Sequence, residues 1–249
     1  MGSDREFGPT QLLPAVRQSM ATFAAALPVA AQPAICSDAL CEGLASFLSL
    51  LAKANEIMNL TSDAGPEHLL ATHIRDSLAP LLVGLESPRS LLDIGTGGGF
   101  PAVPLALAWP ATAVTMTESI GKKALFLESL VGGVPLPRGR VVHGRVEDHA
   151  SVLPERGFDM ITARGVAHIA TVLQYALPLL ASNGRLVLWK GERDLAELRD
   201  PLFVATLHRV HCTVTVLDYV LPGVERNSKL VILQVTPTLS GRLSRRNGS

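Results

Sequence analysis

The 249-residue sequence carries no net charge, because 22 Lys and Arg balance 22 Asp and Glu. With no global field to attract a polyanion, any contact with nucleic acid has to come from a local basic patch. Cysteine is scarce. Cys36, Cys41 and Cys212 are the three in the chain, scattered without C-x-x-C or Cys/His ligand spacing, which fits a reducing cytoplasm and argues against structural zinc. All three are expected to be buried or half-buried thiols, and no metal is expected. Long hydrophobic runs are missing as well, and nothing approaches the about 18 apolar residues that cross a bilayer. The stretch 21–34 has the small residues of a secretory leader, but Asp4 and Glu6 precede it where such a leader is basic, and Pro28 interrupts it. A cytoplasmic protein without membrane contact is the expectation. Only 18% of residues are charged against 47% hydrophobic, so the chain has room for a substantial core, as one large domain or one domain with an appendage.

A dinucleotide fingerprint is also absent. The stretch from Ser90 to Pro101, SLLDIGTGGGFP, runs from a short apolar strand through an acid into a glycine turn, the way a buried parallel strand hands over to a helix. Gly95, Gly97 and Gly99 give G-x-G-x-G, and Phe100 occupies the place of the third glycine of G-x-G-x-x-G. That spacing argues against a pyrophosphate on the helix N-terminus. The form D-x-G-x-G-x-G instead resembles motif I of class I S-adenosylmethionine-dependent methyltransferases. The resemblance implies that the turn passes beneath the amino-acid and ribose parts of that cofactor, with Asp93 near the methionine ammonium. Glu118 ends the next strand about 20 residues on, where a carboxylate pairs with ribose hydroxyls in such folds; a solvated strand-end acid is the alternative. Val146, Glu147 and Asp148 follow the third strand, where the loop beside an adenine ring falls in the methyltransferase fold.

Along the chain, a helix is expected from Thr10 to Ala26, with Pro14 in its first turns. A second begins after a Ser37 cap and repeats Leu40, Leu44, Phe47, Leu48 and Leu51 at helical spacing. After a loop at Asn59, a third runs from Pro66 to Leu82. From Ser90 the pattern becomes short apolar runs alternating with helical stretches, the form of repeated βαβ units. Strands are expected near 90–94, 113–118, 140–143, 158–163, 185–190, 212–220 and 229–235, the last two as an antiparallel hairpin at one edge. The fold class is therefore α/β: a Rossmann-like, mainly parallel seven-stranded sheet with an antiparallel last strand, preceded by a helical region. The boundaries read as a poorly defined extension at 1–35, a helical region at 36–86, a cofactor-binding core at 87–236 and a basic mobile tail at 237–249.

The fourth strand end bears on reaction type through what it lacks. Exocyclic amine methylation uses a [D/N/S]-P-P-[Y/F/W] tetrapeptide there, whereas this chain has Thr162-Ala-Arg-Gly-Val-Ala167. Pyrimidine C5 transfer needs a cysteine nucleophile, and none lies near these strand ends. Attack by an atom with an available lone pair remains, and guanine N7 fits. Such a reaction asks the protein to align two reactants and tune their electrostatics. Arg164 could orient the guanine or brace the cofactor, its plain alternative being a structural ion pair to an acid.

Taken together, Asn59-Leu-Thr, His73 with Asp76-Ser77-Leu78, the glycine turn, Gly121-Lys-Lys with Phe126-Leu127, Gly144-Arg-Val-Glu147, Phe158-Asp with Ala163-Arg164, and Lys190-Gly191 resemble the bacterial ribosomal RNA small subunit methyltransferase G family, also called glucose-inhibited division protein B. The resemblance implies methyl transfer from S-adenosylmethionine to N7 of a guanine in the 530 loop, the decoding region of 16S rRNA, by a monomer acting on the RNA or on the small ribosomal subunit. It places Gly95, Phe100, Val146, Glu147 and Arg164 around the cofactor, and Asn59, His73, Asp76 and Ser77 on the same cleft from the helical side. Lys122, Lys123, Arg138, Arg140 and Arg145 cluster in sequence and are candidate phosphate contacts, with a solvated basic face as the alternative. Val146 and Gly165 stand where the family has alanine, and the tail lacks its tyrosine-proline-arginine. Rival readings are a small-molecule or protein methyltransferase, a nicotinamide dehydrogenase and a non-catalytic ribosome-assembly factor.

Overall fold

The computed structural model describes residues 8–58, 60–61, 65–149, 157–224 and 227–236. Helix α1 (Pro9–Ala24) buries Leu12, Val16, Met20 and Phe23 along one stripe, the spacing of a face packed on a core. Pro14, in the second turn, costs one intrahelical hydrogen bond without ending the helix. Residues 9–24, read from sequence as an ill-defined extension, are thus part of the packed protein, because that stripe has Phe47, Leu48 and Leu51 of α2 (Asp38–Met58) in the same cluster. Ser37 caps α2 with a long hydrogen bond, its Oγ 3.4 Å from the Leu40 amide. Cys36 corrects the reading of the cysteines: Ile35 takes the inward position and leaves Cys36 exposed, whereas Cys41 is buried and Cys212 half-buried.

The helix expected over Pro66–Leu82 is broken into pieces. A first α-turn (Pro66–His68) widens into π-helical turns (Leu69–Ile74) and returns to α at Arg75–Ser77. Leu78 leaves the helical region at φ −84° and ψ 3°, and a last turn, Ala79–Leu82, carries Pro80 near its start, where no amide is needed. The wide turns carry His73, and such turns are frequent where a helix serves a site.

Seven strands follow: β1 (Ser90–Ile94), β2 (Ala113–Glu118), β3 (Gly139–His143), β4 (Phe158–Arg164), β5 (Leu180–Lys190), β6 (Cys212–Val220) and β7 (Asn227–Val235). Their order in the sheet is β3-β2-β1-β4-β5-β7-β6. The β3, β2, β1, β4 and β5 pairings are parallel, and β7 runs antiparallel to both β5 and β6. The last two strands form the expected hairpin, with β7 as its inner strand. Helices α3 (Ala102–Ala108), α4 (Gly121–Gly133), α5 (Ile169–Ala176) and α6 (Pro201–Arg209) complete the layers.

Both faces of the sheet's central strands are covered, so these alternate between two cores rather than between core and water. Leu91, Met116, Met160 and Val187 join the cluster of α1, α2, α3 and α4, while Leu92, Ile94, Ile161 and Leu188 face α5 and α6. Helical region and sheet share one apolar cluster. The parallel strands end together at one edge, where β-α turns place ligand groups in open α/β sheets.

Candidate functional site

The turn after β1 is built for close approach. Gly95, Gly97 and Gly99 all have positive φ, at 67°, 59° and 99°. A Cβ on Gly97 would meet nothing nearer than the Gly95 carbonyl at 3.9 Å, so that position faces open space and a side chain there would fill it. Gly99 differs: a Cβ would press on the Phe47 ring at 2.9 Å. Its want of a side chain therefore serves the packing of α2.

Asp93 is fully buried at the end of β1. Thr162 Oγ1 donates to its Oδ1 at 2.7 Å, but Oδ2 is buried without a hydrogen-bond partner. Burial pushes the carboxyl up to about 7, with the Thr162 and Thr96 hydroxyls and the Arg164 charge opposing. An orphaned carboxylate oxygen beside a glycine cradle fits a cationic amino group. Because the folded value lies above the ordinary value of 3.8, the folded chain holds this proton longer than the unfolded one. Asp93 accordingly lowers stability as pH rises from about 4 to about 7. An amino-acid ammonium held there favours the ionised form, so affinity for S-adenosylmethionine should rise about tenfold between pH 6 and 8. Calorimetric titration checks this, and Asp93→Asn should flatten the dependence.

Glu118 is 6% exposed at the end of β2. Its Oε2 accepts from the Gly97 amide at 3.0 Å and its Oε1 from the Ile120 amide at 2.8 Å. It braces the glycine turn, and each oxygen keeps acceptor capacity for a ribose hydroxyl. Beside it, a small cavity is lined by Gly95, Thr117, Ser119, Gly144, Val146 and Glu147, with Val166 and Tyr175 closing the far wall. Val166 and Tyr175 were not singled out from sequence. Val166 follows the informative strand end, but Tyr175 lies on α5 with no motif around it.

A second cavity, of about 480 Å³, opens at the ends of β4 and β5 and is lined by His73, Asp76, Arg164, Lys190, Asp194 and Tyr219, among others. Arg164 is its centre. One terminal nitrogen donates to Asp76 Oδ2 at 3.0 Å and the other lies 2.7 Å from His73 Nδ1. The guanidinium carbon sits 5.3 Å from the centroid of the Phe100 ring, which packs on His73 and Phe47, each at 5.1 Å between centroids. Asp76 also receives the Tyr219 hydroxyl at 2.6 Å and, at its carbonyl, the Trp189 indole N–H at 2.8 Å. The acid that pairs with Arg164 thus belongs to the helical segment. A cavity of equal volume between α5 and α6, with His168, Leu173, Glu197 and Phe203 in its walls, holds no glycine-turn residue.

Two sequence expectations fail here. Ser77 is buried and donates its hydroxyl to the His73 carbonyl at 2.6 Å, so its proton is committed to shaping the wide helical turn rather than to a substrate contact. The basic residues do not form one patch. Lys122 and Lys123 start α4 at the cofactor edge, and Arg145 lies there paired with Glu147 at 3.7 Å. Arg138 precedes β3 and donates to the Ala111 carbonyl at the opposite edge, roughly 20 Å from Arg145 by strand rise. Arg140 is tied across to the neighbouring strand β2, its Nε donating to Thr115 Oγ1 at 2.9 Å. Asn59 lies outside the described residues, as does the expected tail from residue 237 on. Among the described residues no group of three or more His, Cys, Asp or Glu could hold a metal ion, and no single helix is long and apolar enough to cross a membrane.

A family model described as rRNA small subunit methyltransferase G matches residues 40–218. Among curated proteins, ribosomal RNA small subunit methyltransferase G of Chloroflexus aggregans is 36% identical over 196 residues, 78% of this chain and 82% of that protein. The protein of the same name from a Roseiflexus species is 36% identical over 200 residues, 80% and 85% of the two chains. Among solved structures, a putative O-methyltransferase from Klebsiella pneumoniae superposes with a TM-score of 0.56 at 20% identity, covering 77% of this chain and 90% of that one. The O-methyltransferase from Bacillus cereus in complex with SAH gives 0.55 at 20% identity over 77% and 91%. These two likenesses show the fold.

Proposed function

This chain belongs to the rRNA small subunit methyltransferase G family, and on that premise we propose that it transfers a methyl group from S-adenosylmethionine to N7 of a guanine in the 530 loop of 16S rRNA. The observation that carries the reading is the pair of cavities at the strand ends, one beside the glycine turn and one around Arg164. The residues in and beside the first cavity fit the cofactor: Val146 and Glu147, in its wall, would flank the adenine, while next to it the unpartnered Asp93 oxygen would hold the amino group, Gly97 leaves the room and Glu118 would take the ribose. When bound, S-adenosylmethionine supplies an electrophilic methyl on a sulfonium. Guanine N7 offers a lone pair, so the cleft has no proton to remove and its groups serve alignment and charge. Arg164, held by Asp76 and His73, is placed to orient the base, and Lys190 adds a second cation to the cleft wall. The protein is read as a monomer of the cytoplasm that acts on the RNA or the small subunit.

The test is incubation with radiolabelled S-adenosylmethionine and unmethylated 16S rRNA, naked and in small subunits, followed by borohydride–aniline mapping. A single N7-methylguanine in the 530 loop is expected, and label transfer elsewhere would replace the substrate assignment. Lys122 and Lys123 are the cations best placed for phosphate contact, since both begin α4 beside the cofactor turn. Reversing both to glutamate should weaken RNA binding and reduce the slope of log affinity on log salt by about 2. A filter-binding salt series reads that change.

A further inference from the structure

Arg164 has two acceptors where a guanidinium ordinarily prefers one forked carboxylate. Asp76 meets it through Oδ2 alone, at 3.0 Å, because Oδ1 already accepts the Tyr219 hydroxyl at 2.6 Å. The second guanidinium nitrogen is thereby left to His73 Nδ1 at 2.7 Å. A guanidinium only donates, so His73 Nδ1 carries no proton and the ring proton of this neutral imidazole is on Nε2. Tyr219 is 6% exposed, on β6 of the terminal hairpin and one residue past the span matched by the family model. Burial and the Asp76 charge push its hydroxyl well above the usual phenol range, so it remains a donor. The same hairpin accepts a hydrogen bond from Arg75 at the Pro222 carbonyl, 2.7 Å away. The helical segment and the hairpin are thus joined at two successive residues, Arg75 and Asp76.

We propose that Tyr219 is a positioning residue for methyl transfer: by occupying one oxygen of Asp76 it keeps the Asp76–Arg164 pair single, and so holds the guanidinium on His73 and over Phe100. Without the hydroxyl, Asp76 Oδ1 is a part-buried acceptor that has lost its Tyr219 donor, and the second Arg164 nitrogen, on the same guanidinium that already meets Oδ2, can swing from His73 to take its place. The guanidinium then turns into a fork on Asp76, and His73 Nδ1 loses the Arg164 donor that favours its Nε2–H tautomer. The effect on turnover rests on the methyltransferase reading above, whereas the tautomer does not.

Tyr219→Phe in the full chain tests this. The rate constant kcat for methyl transfer should fall about tenfold, with KM for RNA, cofactor affinity and melting temperature little changed. In nitrogen-15 spectra of the histidine rings, the resonances of His73 should move from a single Nε2–H tautomer toward a mixture. Tyr219→Phe combined with Asp76→Asn should cost no more than Asp76→Asn alone, since both act on one contact. A kcat within twofold of the parent, a loss shared equally with cofactor affinity, or additive losses in the double variant would each overturn the role. The ring spectra need no RNA: an unchanged His73 tautomer in Tyr219→Phe overturns the brace even if the substrate is another molecule, and a changed one sustains it if the substrate assignment falls.

Discussion

Gly97→Val abolishes binding of S-adenosylmethionine, with an expected loss of at least 100-fold in affinity and of all measurable methyl transfer. Two effects add. At φ 59° a β-branched residue is strained, and the strain costs on the order of 1–2 kcal/mol of stability. The larger effect is steric, since a Cβ at this position points into open space above the turn and two methyl groups would occupy it. The Gly97 amide also donates to Glu118, and a displaced backbone would release the carboxylate proposed for the ribose. The core beneath is untouched, so helical content should persist while calorimetry shows no cofactor binding. Normal affinity in the variant would mean that the cofactor does not cross this turn. Gly99→Ala offers a contrast: its clash is with Phe47, so it should lower the melting temperature before it lowers affinity.

The sheet was legible because its signals are local. An apolar strand followed by an acid and positive-φ glycines has few other readings, and two buried faces require the continuous apolar runs from which the strands were placed. The strand ends carrying the proposed cofactor contacts were placed by the same logic. The substrate side was not legible in this way. Arg164 and Asp76 are 88 residues apart and Tyr219 and Asp76 are 143 apart, and side chains that meet across such distances leave no period in the sequence. The basic residues show the opposite error: Arg138, Arg140 and Arg145 are neighbours in sequence, but β3 runs between the first and the last. The wide helical turns at Leu69–Ile74 are invisible to a 3.6-residue period. Ser77 lies in a motif shared with the family yet turns its hydroxyl inward.

Arg164→Ala should lower the single-turnover rate of methyl transfer about 100-fold, the scale for removing an aligned charged group from a site. Its side chain is 16% exposed and Asp76 is 14% exposed, so the pair is screened less than a surface ion pair. Deletion takes one donor from Asp76 Oδ2 and one from His73 Nδ1, and the expected stability loss is about 1–3 kcal/mol. The rate and stability losses separate in the control Arg164→Lys. Lysine keeps the charge and satisfies one acceptor, yet its ammonium is a point charge that lacks the fork joining Asp76 to His73 and does not lie flat on Phe100. Stability should therefore return in large part while the rate stays at least tenfold down. Rapid-quench kinetics at saturating cofactor, with melting curves on the same preparations, distinguish the outcomes. Full recovery of rate in Arg164→Lys would show that only charge matters at this strand end. An unchanged rate in Arg164→Ala would leave Arg164 as a tie between the helical segment and the sheet and move base orientation to Lys190, the other cation of the cleft.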